Sequence, residues 1–144
     1  MADIDHFKSI NDRCGHAVGD EAIKRFAEIL RACVREGDLV GRYGGEEFCI
    51  VVAGLDGQRA MQLAETMRQR LAAESGAGRT DGHPLTMSAS FGVTTMFQGA
   101  RNEAELVDQA DQAMYMAKQS GRNRVVAFSP KWQTEHRNAE VARS

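Results

Sequence analysis

Arg42-Tyr43-Gly44-Gly45-Glu46-Glu47-Phe48 is the stretch on which the reading of this chain turns. It lies between two apolar runs. Residues 38–43 carry Leu39, Val40 and Tyr43, and residues 47–53 run Phe48-Cys49-Ile50-Val51-Val52 without a polar break. Both have strand composition, and a Gly-Gly pair between them signals a tight hairpin whose central residues can take positive φ. The bare backbone also lets a ligand approach closely. Two carboxylates follow at once. Neighbouring strand residues point to opposite faces, so Glu46 and Glu47 share one spot only if the turn re-aims one of them. A carboxylate at a hairpin tip can hold Mg²⁺, which takes one or two carboxylates and fills its shell with phosphate oxygens. A solvated hairpin with charged ends accounts for the same residues equally well.

Working outward, Ile23, Phe26, Ala27, Leu30, Cys33 and Val34 recur at three- and four-residue spacing and predict a helix over 20–36. Asp20 stands where an N-cap would, and Gly37 follows as a stop. Residues 57–74 predict a second helix, with Ala60, Leu63, Ala64, Met67 and Leu71 on one face. A Gly-rich loop, Ser75 to Pro84, comes next. Residues 85–93 alternate, with Leu85, Met87, Ala89, Phe91 and Val93 opposed to Thr86, Ser88 and Ser90, as in a half-buried strand. A third helix is predicted over 102–119, closed by Gly121, and Arg124 to Phe128 reads as a final strand. The tail, 129–144, is polar and expected to be poorly ordered. The order helix, strand, strand, helix, strand, helix, strand predicts an α+β architecture, with helices over a partly antiparallel sheet. No internal repeat or interior boundary breaks the chain, so residues 1–128 read as one domain.

Bulk properties agree. The chain has 144 residues, is 42% apolar and 6% aromatic, so its core should be built from Leu, Val, Ile, Met and Ala. A net charge of -2 argues against a nucleic-acid-binding domain with a broad basic face. Three cysteines, Cys14, Cys33 and Cys49, give neither a disulfide framework nor a zinc pattern and suit a reducing cytosol. Cys33 and Cys49 lie in apolar runs and are expected in the core. No apolar run reaches the roughly 18 residues that would span a membrane. The first residues, Met-Ala-Asp-Ile-Asp-His, lack the basic start and apolar stretch of a signal peptide.

Four further groups carry chemistry. Asp3-Ile4-Asp5 offers a carboxylate at a strand end, a common metal donor and equally a charged edge. Asn11, His16 and Asp20 include an amide and a carboxylate able to read a purine edge; a carboxylate that accepts from guanine N1–H and N2 leaves an unpaired acceptor against adenine. Asp20 as a pure helix cap is compatible with that role. Lys118 and Arg122, four apart at a helix end, could hold terminal phosphates or simply compensate the helix dipole. Arg35 and Asp38, in Arg-Glu-Gly-Asp, could bind a guanine and a phosphate of one ligand or form a surface ion pair worth little.

Together and in this order, these groups resemble the GGDEF-domain family, the diguanylate cyclases. The matching segments are "DIDHFKSIND", "GHAVGDEAI", "REGDLVGRYGGEEF", "SFGV", "ADQAMYMAK" and "GRNRV", across roughly residues 3–128. The resemblance implies a palm-like α+β sandwich of nucleotidyl-cyclase type. It implies condensation of two GTP into cyclic di-GMP with loss of two pyrophosphates, one GTP per domain across a homodimer. In that scheme Asp3, the Ile4 carbonyl and Glu46 hold Mg²⁺, two ions per site, with Mn²⁺ as a substitute. Asn11 and Asp20 read guanine with His16 nearby. Phe7, Lys8, Gly45, Lys118 and Arg122 face the substrate and its phosphates. Glu46 is a candidate acceptor for the 3′-hydroxyl proton, and Glu47 is a second catalytic acid. Arg35 and Asp38 match the family's Arg-x-x-Asp site, where product inhibits by linkage between sites. Glu at position 46 is a variant the family contains.

The family has a helix and most of a central strand ahead of "DIDHFK", where only Met1 and Ala2 stand here. The expectation is a domain lacking that helix and most of its first strand, with Met1 at an apolar strand position. The expected location is cytoplasmic, within a parent that could be membrane-anchored. A reading from another class is a catalytically inactive module sensing cyclic di-GMP or GTP. An adenylate cyclase or polymerase palm would share the metals but not the guanine-reading pair.

Overall fold

A strand of only three residues occupies the middle of the sheet. The computed structural model describes residues 1–75 and 85–132. Its elements are β1 (Ala2–Ile4), α1 (Phe7–Cys14), α2 (His16–Cys33), β2 (Leu39–Gly44), β3 (Glu47–Val51), α3 (Gly57–Glu74), β4 (Ala89–Val93), a 3₁₀ turn at Met96–Gln98, α4 (Glu103–Gln119) and β5 (Val125–Ala127). The five strands lie in the order β2-β3-β1-β4-β5. All pairings are antiparallel except β4 with β5. This is the α+β sandwich the resemblance implied.

β1 pairs on both sides. Ala2 faces Phe48 and Phe91, while Asp3 faces Glu47 and Ser90. Strand side chains alternate between faces, so Ala2 and Ile4 enter one layer and Asp3 the other. The first layer is the main core. There Phe26 of α2 packs edge-on against Phe48 at 5.2 Å and Phe91 at 6.2 Å between ring centroids. Its ring thereby joins β3 to β4 across β1, an arrangement that aromatic quadrupoles favour. Ile29 and Leu30 of α2 and Met67 and Leu71 of α3 complete this core. On the other face Met1, Ala110 and Met114 form a smaller cluster with Cys49 and Val107. α4 lies close on β4 there: a Cβ at Gly92 would sit 2.0 Å from the Ala110 carbonyl oxygen and 2.2 Å from the Met114 nitrogen.

Several expectations are corrected. α1 was not expected as a helix; its only apolar residues are Phe7, Ile10 and the exposed Cys14, too few to give a clear periodic signal. α2 begins at His16, four residues before the expected start, so Asp20 lies inside the helix and Gly15 is the N-cap. The helix ends at Cys33; Gly37, with φ 93, belongs to the turn beyond it. In the hairpin only Gly45 has positive φ, 46°, because a register shift between Arg42 and Gly44 takes up part of the turn. The regular strand within 85–93 starts at Ala89. Of its polar side, Thr86 is exposed and Ser88 half-buried, but Ser90 is fully buried, since β4 is an interior strand with a helix on each face. Cys33 and Cys49 are half-buried at the margin of the core. The Gly-rich loop from 76 to 84 and the tail from 133 lie outside the described residues; Trp132 packs edge-on against Phe128 at 5.8 Å.

Gly92→Ala would push a methyl into the α4 backbone. The expected loss is about 3 kcal/mol, the upper end of overpacking costs. Denaturant unfolding checks it; an unchanged midpoint would contradict the close seating of α4 on β4.

Candidate functional site

The sheet register brings the reactive-looking groups to one end of β1. Asp3 is 4% exposed, and its Oδ2 accepts a hydrogen bond from Lys118 Nζ of α4 at 3.0 Å. Glu47 is its register partner. Glu46 precedes β3 in the turn, and its carbonyl accepts from the Ile4 N–H at 3.4 Å. The turn is held by Arg42, whose Nε donates to the Gly45 carbonyl at 2.7 Å. Glu47 stands opposite Asp3 through ordinary antiparallel pairing, and Glu46, in the turn just before it, is near enough for its charge to act on Asp3. Burial raises the Asp3 pKa from 3.8 to about 6; Lys118 opposes the shift, and the Glu46 and Glu47 charges add to it. Asp3 is thus a buried carboxylate with one cation and two like charges around it. Glu47 also lines an open cleft on this face with Tyr43, Val107, Asp108 and Asp111.

A second set is built by the α1–α2 corner. The Asn11 Oδ1 is buried and has no hydrogen-bond partner among the described residues. A Cβ at Gly19 would lie 1.9 Å from that oxygen and 3.2 Å from Phe7 Cζ, so the glycine makes the space that Asn11 and Phe7 occupy. His16 and Asp20 are exposed on α2, with no described side-chain bond to Asn11. Lys8 is exposed and paired with Asp12 at 2.8 Å.

A third set is the turn after α4. Arg122 is exposed with φ 62, and Asn123 follows with φ 45. The Arg122 N–H donates to the Ala117 carbonyl at 3.0 Å. Asp5, the other carboxylate of the Asp3-Ile4-Asp5 group, is 5% exposed and satisfied by neutral donors: Ser88 Oγ at 2.6 Å, Ser90 Oγ at 2.7 Å and the Asn123 N–H at 2.9 Å. Sequence reasoning missed Ser88, Ser90, Asn123 and Gly19. The serines alternate as solvent-facing residues would, and nothing local marks their partner 83 or 85 positions away.

Arg35 and Asp38 lie apart from these sets, beyond the end of α2. The Asp38 carboxylate accepts from the backbone N–H of Arg35 at 3.2 Å and of Ala53 at 3.3 Å, and its Oδ2 lies 3.6 Å from Arg35 Nε. Arg35 also donates to the Ala53 carbonyl. Its side chain is 63% exposed, whereas that of Asp38 is 6% exposed. Asp38 therefore orients Arg35, and the guanidinium is the part that a ligand can reach.

Among the described residues, no three His, Cys, Asp or Glu side chains form a ready-made metal cluster, and no helix is long and apolar enough to cross a membrane.

Residues 1–124 match the family described as diguanylate cyclase, GGDEF domain. Diguanylate cyclase A of Treponema denticola is 39% identical over 125 residues, covering 87% of this chain and 33% of the relative. The solved active GGEEF domain of a diguanylate cyclase from Vibrio cholerae is 37% identical with a TM-score of 0.79, over 89% of this chain and 80% of that one. The GGDEF domain of DgcB from Caulobacter crescentus, solved in complex with c-di-GMP, is 30% identical with a TM-score of 0.81, over 88% and 74%. The chain belongs to the diguanylate cyclase GGDEF-domain family. It spans a third or less of the first curated relatives it matches.

The raised Asp3 pKa makes a pH prediction. Its folded value, about 6, exceeds the ordinary carboxylate value, so the folded state binds the proton more tightly. The stabilisation is fully present below the unfolded pKa and is lost as pH rises through the folded one. Asp3→Asn, which cannot ionise, should therefore be more stable than wild type near pH 7.5 without metal, by about 1–2 kcal/mol, with the gap closing toward pH 4. Thermal unfolding across that range checks it; a wild type equal to the variant at every pH would contradict it.

Proposed function

We propose that this domain condenses two GTP molecules into cyclic di-GMP, one GTP per domain across a homodimer. The observation that carries this reading is the buried Asp3 carboxylate beside Glu46 and Glu47. Three acidic groups near one point, with Lys118 as the described counter-charge, are a costly arrangement unless another cation joins them. Mg²⁺ suits such a site, because it takes one or two of the carboxylates directly and retains waters and substrate phosphates. Asp3, the Ile4 carbonyl and Glu46 would hold Mg²⁺, two ions per site, with Mn²⁺ as a substitute. When bound, the metal lowers the pKa of the 3′-hydroxyl and offsets charge developing at the α-phosphate.

The protein's own part is positioning and proton handling. Asn11, with an unpartnered buried acceptor, would take a donor from guanine, with Asp20 and His16 closing on the base from α2. Phe7 would pack at the phosphate entrance. Lys8, Lys118 and Arg122 would draw in the terminal phosphates, Arg122 in bidentate fashion. Gly45 keeps the hairpin low enough for close approach. Glu46 would accept the 3′-hydroxyl proton while Glu47 orients it. Arg35, held out by Asp38, would bind the guanine and phosphate of the product, and product bound there would hold two domains in an unproductive arrangement. The c-di-GMP complex of the Caulobacter relative supports a product-binding role.

With GTP and Mg²⁺, purified dimer-competent protein should yield cyclic di-GMP, identified by mass and chromatography. Glu46→Gln should lower kcat by about 10²–10³-fold. A folded dimer that binds GTP but forms no product, and behaves identically as Glu46→Gln, would leave a nucleotide-sensing module as the function. For the product site, Arg35→Ala should keep uninhibited turnover and weaken product inhibition by about tenfold, the loss of one charge-assisted contact. Unchanged inhibition would remove that assignment.

A further inference from the structure

Asp5 is a buried carboxylate satisfied at both oxygens, and nothing in the proposed reaction uses it. We infer that Asp5 is a positioning residue that sets the turn carrying Arg122, and so the affinity for the triphosphate. The inference rests on the proposed GTP chemistry of this site.

Arg122 and Asn123 have φ of 62° and 45°, consecutive left-handed residues that are not glycine. L-residues enter this region at a cost and remain there only when their surroundings impose it. Four contacts impose it here. The Arg122 N–H is tied to the Ala117 carbonyl at 3.0 Å. The Asn123 N–H is tied to Asp5 Oδ2 at 2.9 Å. The Asn123 Oδ1 accepts from Arg68 Nη1 of α3 at 2.8 Å. The Arg124 carbonyl accepts from the Phe91 N–H at 2.9 Å, which starts the β4–β5 pairing. Only the Asp5 contact comes from the segment that also carries Asp3 and Ile4.

Asp5 is itself immobilised. Ser88 and Ser90 donate to its two oxygens, and its backbone N–H donates to the Ser88 carbonyl at 2.9 Å. It stands two residues from the proposed metal carboxylate and one from the proposed metal carbonyl. The distance between that metal end and the Arg122 guanidinium is therefore set through a rigid, charge-assisted contact. Asp5→Asn keeps the volume and removes the charge: its amide oxygen is a weaker acceptor for the Asn123 N–H than the carboxylate. The turn's anchor is then weakened while the core stays filled.

Binding separates this role from a merely structural one. GMP lacks the β- and γ-phosphates that Arg122 would contact, so it reports the rest of the site. With Mg²⁺ present, Asp5→Asn should bind GTP about tenfold more weakly than wild type and GMP with unchanged affinity. In an Arg122→Ala background, Asp5→Asn should cause no further loss for GTP, the non-additivity expected of groups acting as one unit. Equal losses for GTP and GMP, or additive losses in the two backgrounds, would overturn the inference. Should Asp5→Asn fail to unfold cooperatively, Ser88→Ala carries the test. It removes one donor from Asp5 without touching Asn123, and should weaken GTP about two- to threefold while sparing GMP; no selective loss overturns the inference. Wild type that binds GTP yet forms no cyclic di-GMP defeats the proposed reaction and leaves the Asp5 result readable from binding. Wild type that binds no GTP defeats both.

Discussion

A carboxylate forced into the middle of a sheet governs this structure. β1 is three residues long and paired on both sides, so its residues have no freedom to turn. Alternation sends Ala2 and Ile4 into the apolar layer beneath α2, and the same alternation sends Asp3 to the α4 side, where Lys118 meets it. A one-residue slip would exchange those faces and bury the acid among Phe26, Phe48 and Phe91. Packing in the main core and the position of Asp3 are therefore one constraint. The aromatic cluster that stabilises the sheet also holds a poorly solvated acid where the hairpin acids can approach it.

Asp3 and Asp5 show how the same side chain, two positions apart, meets opposite electrostatic treatment. Asp5 is surrounded by hydroxyl and amide donors that cost nothing in like charge. Asp3 receives one cation and faces two acids, and its pKa rises. Satisfied buried polar groups rigidify a fold, whereas incompletely compensated ones mark places where something else belongs. The left-handed non-glycine residues follow the same geography: His6 adjoins Asp5 in sequence, and Asn123 is hydrogen-bonded to it. Backbone strain thus gathers around the rigid carboxylate rather than the reactive one, consistent with a turn held for positioning.

Legibility in the sequence divided along physical lines. α3 and α4 were readable because each repeats an apolar face over many turns, and both start at side-chain caps, Asp56 and Asn102. The hairpin was readable because Gly44-Gly45 punctuates two strand-like runs. α1 was not, because eight residues with three apolar positions, Phe7, Ile10 and Cys14, carry little periodicity. The start of α2 was misplaced because His16-Ala17-Val18-Gly19 looks like loop, and because Asp20 imitates a cap that Gly15 provides through its backbone instead. The buried polarity of β4 was hidden because alternation reports two faces but not whether the second meets water. Of the candidate site, the residues of the hairpin, β1 and α4 were readable as motifs. Their convergence depends on antiparallel register and on α4 crossing β4, which no local pattern encodes.

The proposed site also divides its work between two kinds of scaffold. Its reacting end stands on β1 and the β2–β3 hairpin, where pairing on both sides of β1 fixes position. Its base-recognition end stands on the α1–α2 corner, where Asn11, Phe7 and Gly19 are in contact. The corner is joined to the strand by His6, in left-handed geometry, and by the edge of the main core that Phe7 and Ile10 reach. A nucleotide bridging the two ends would join the α1–α2 corner to the reacting end of the sheet. The proposed contact with guanine would tie that corner to the sheet, since the Asn11 oxygen is buried and unpartnered among the described residues. The sheet supplies precision where charge must be placed to within a fraction of an ångström, and the helix corner supplies a cavity whose shape depends on the missing side chain of one glycine.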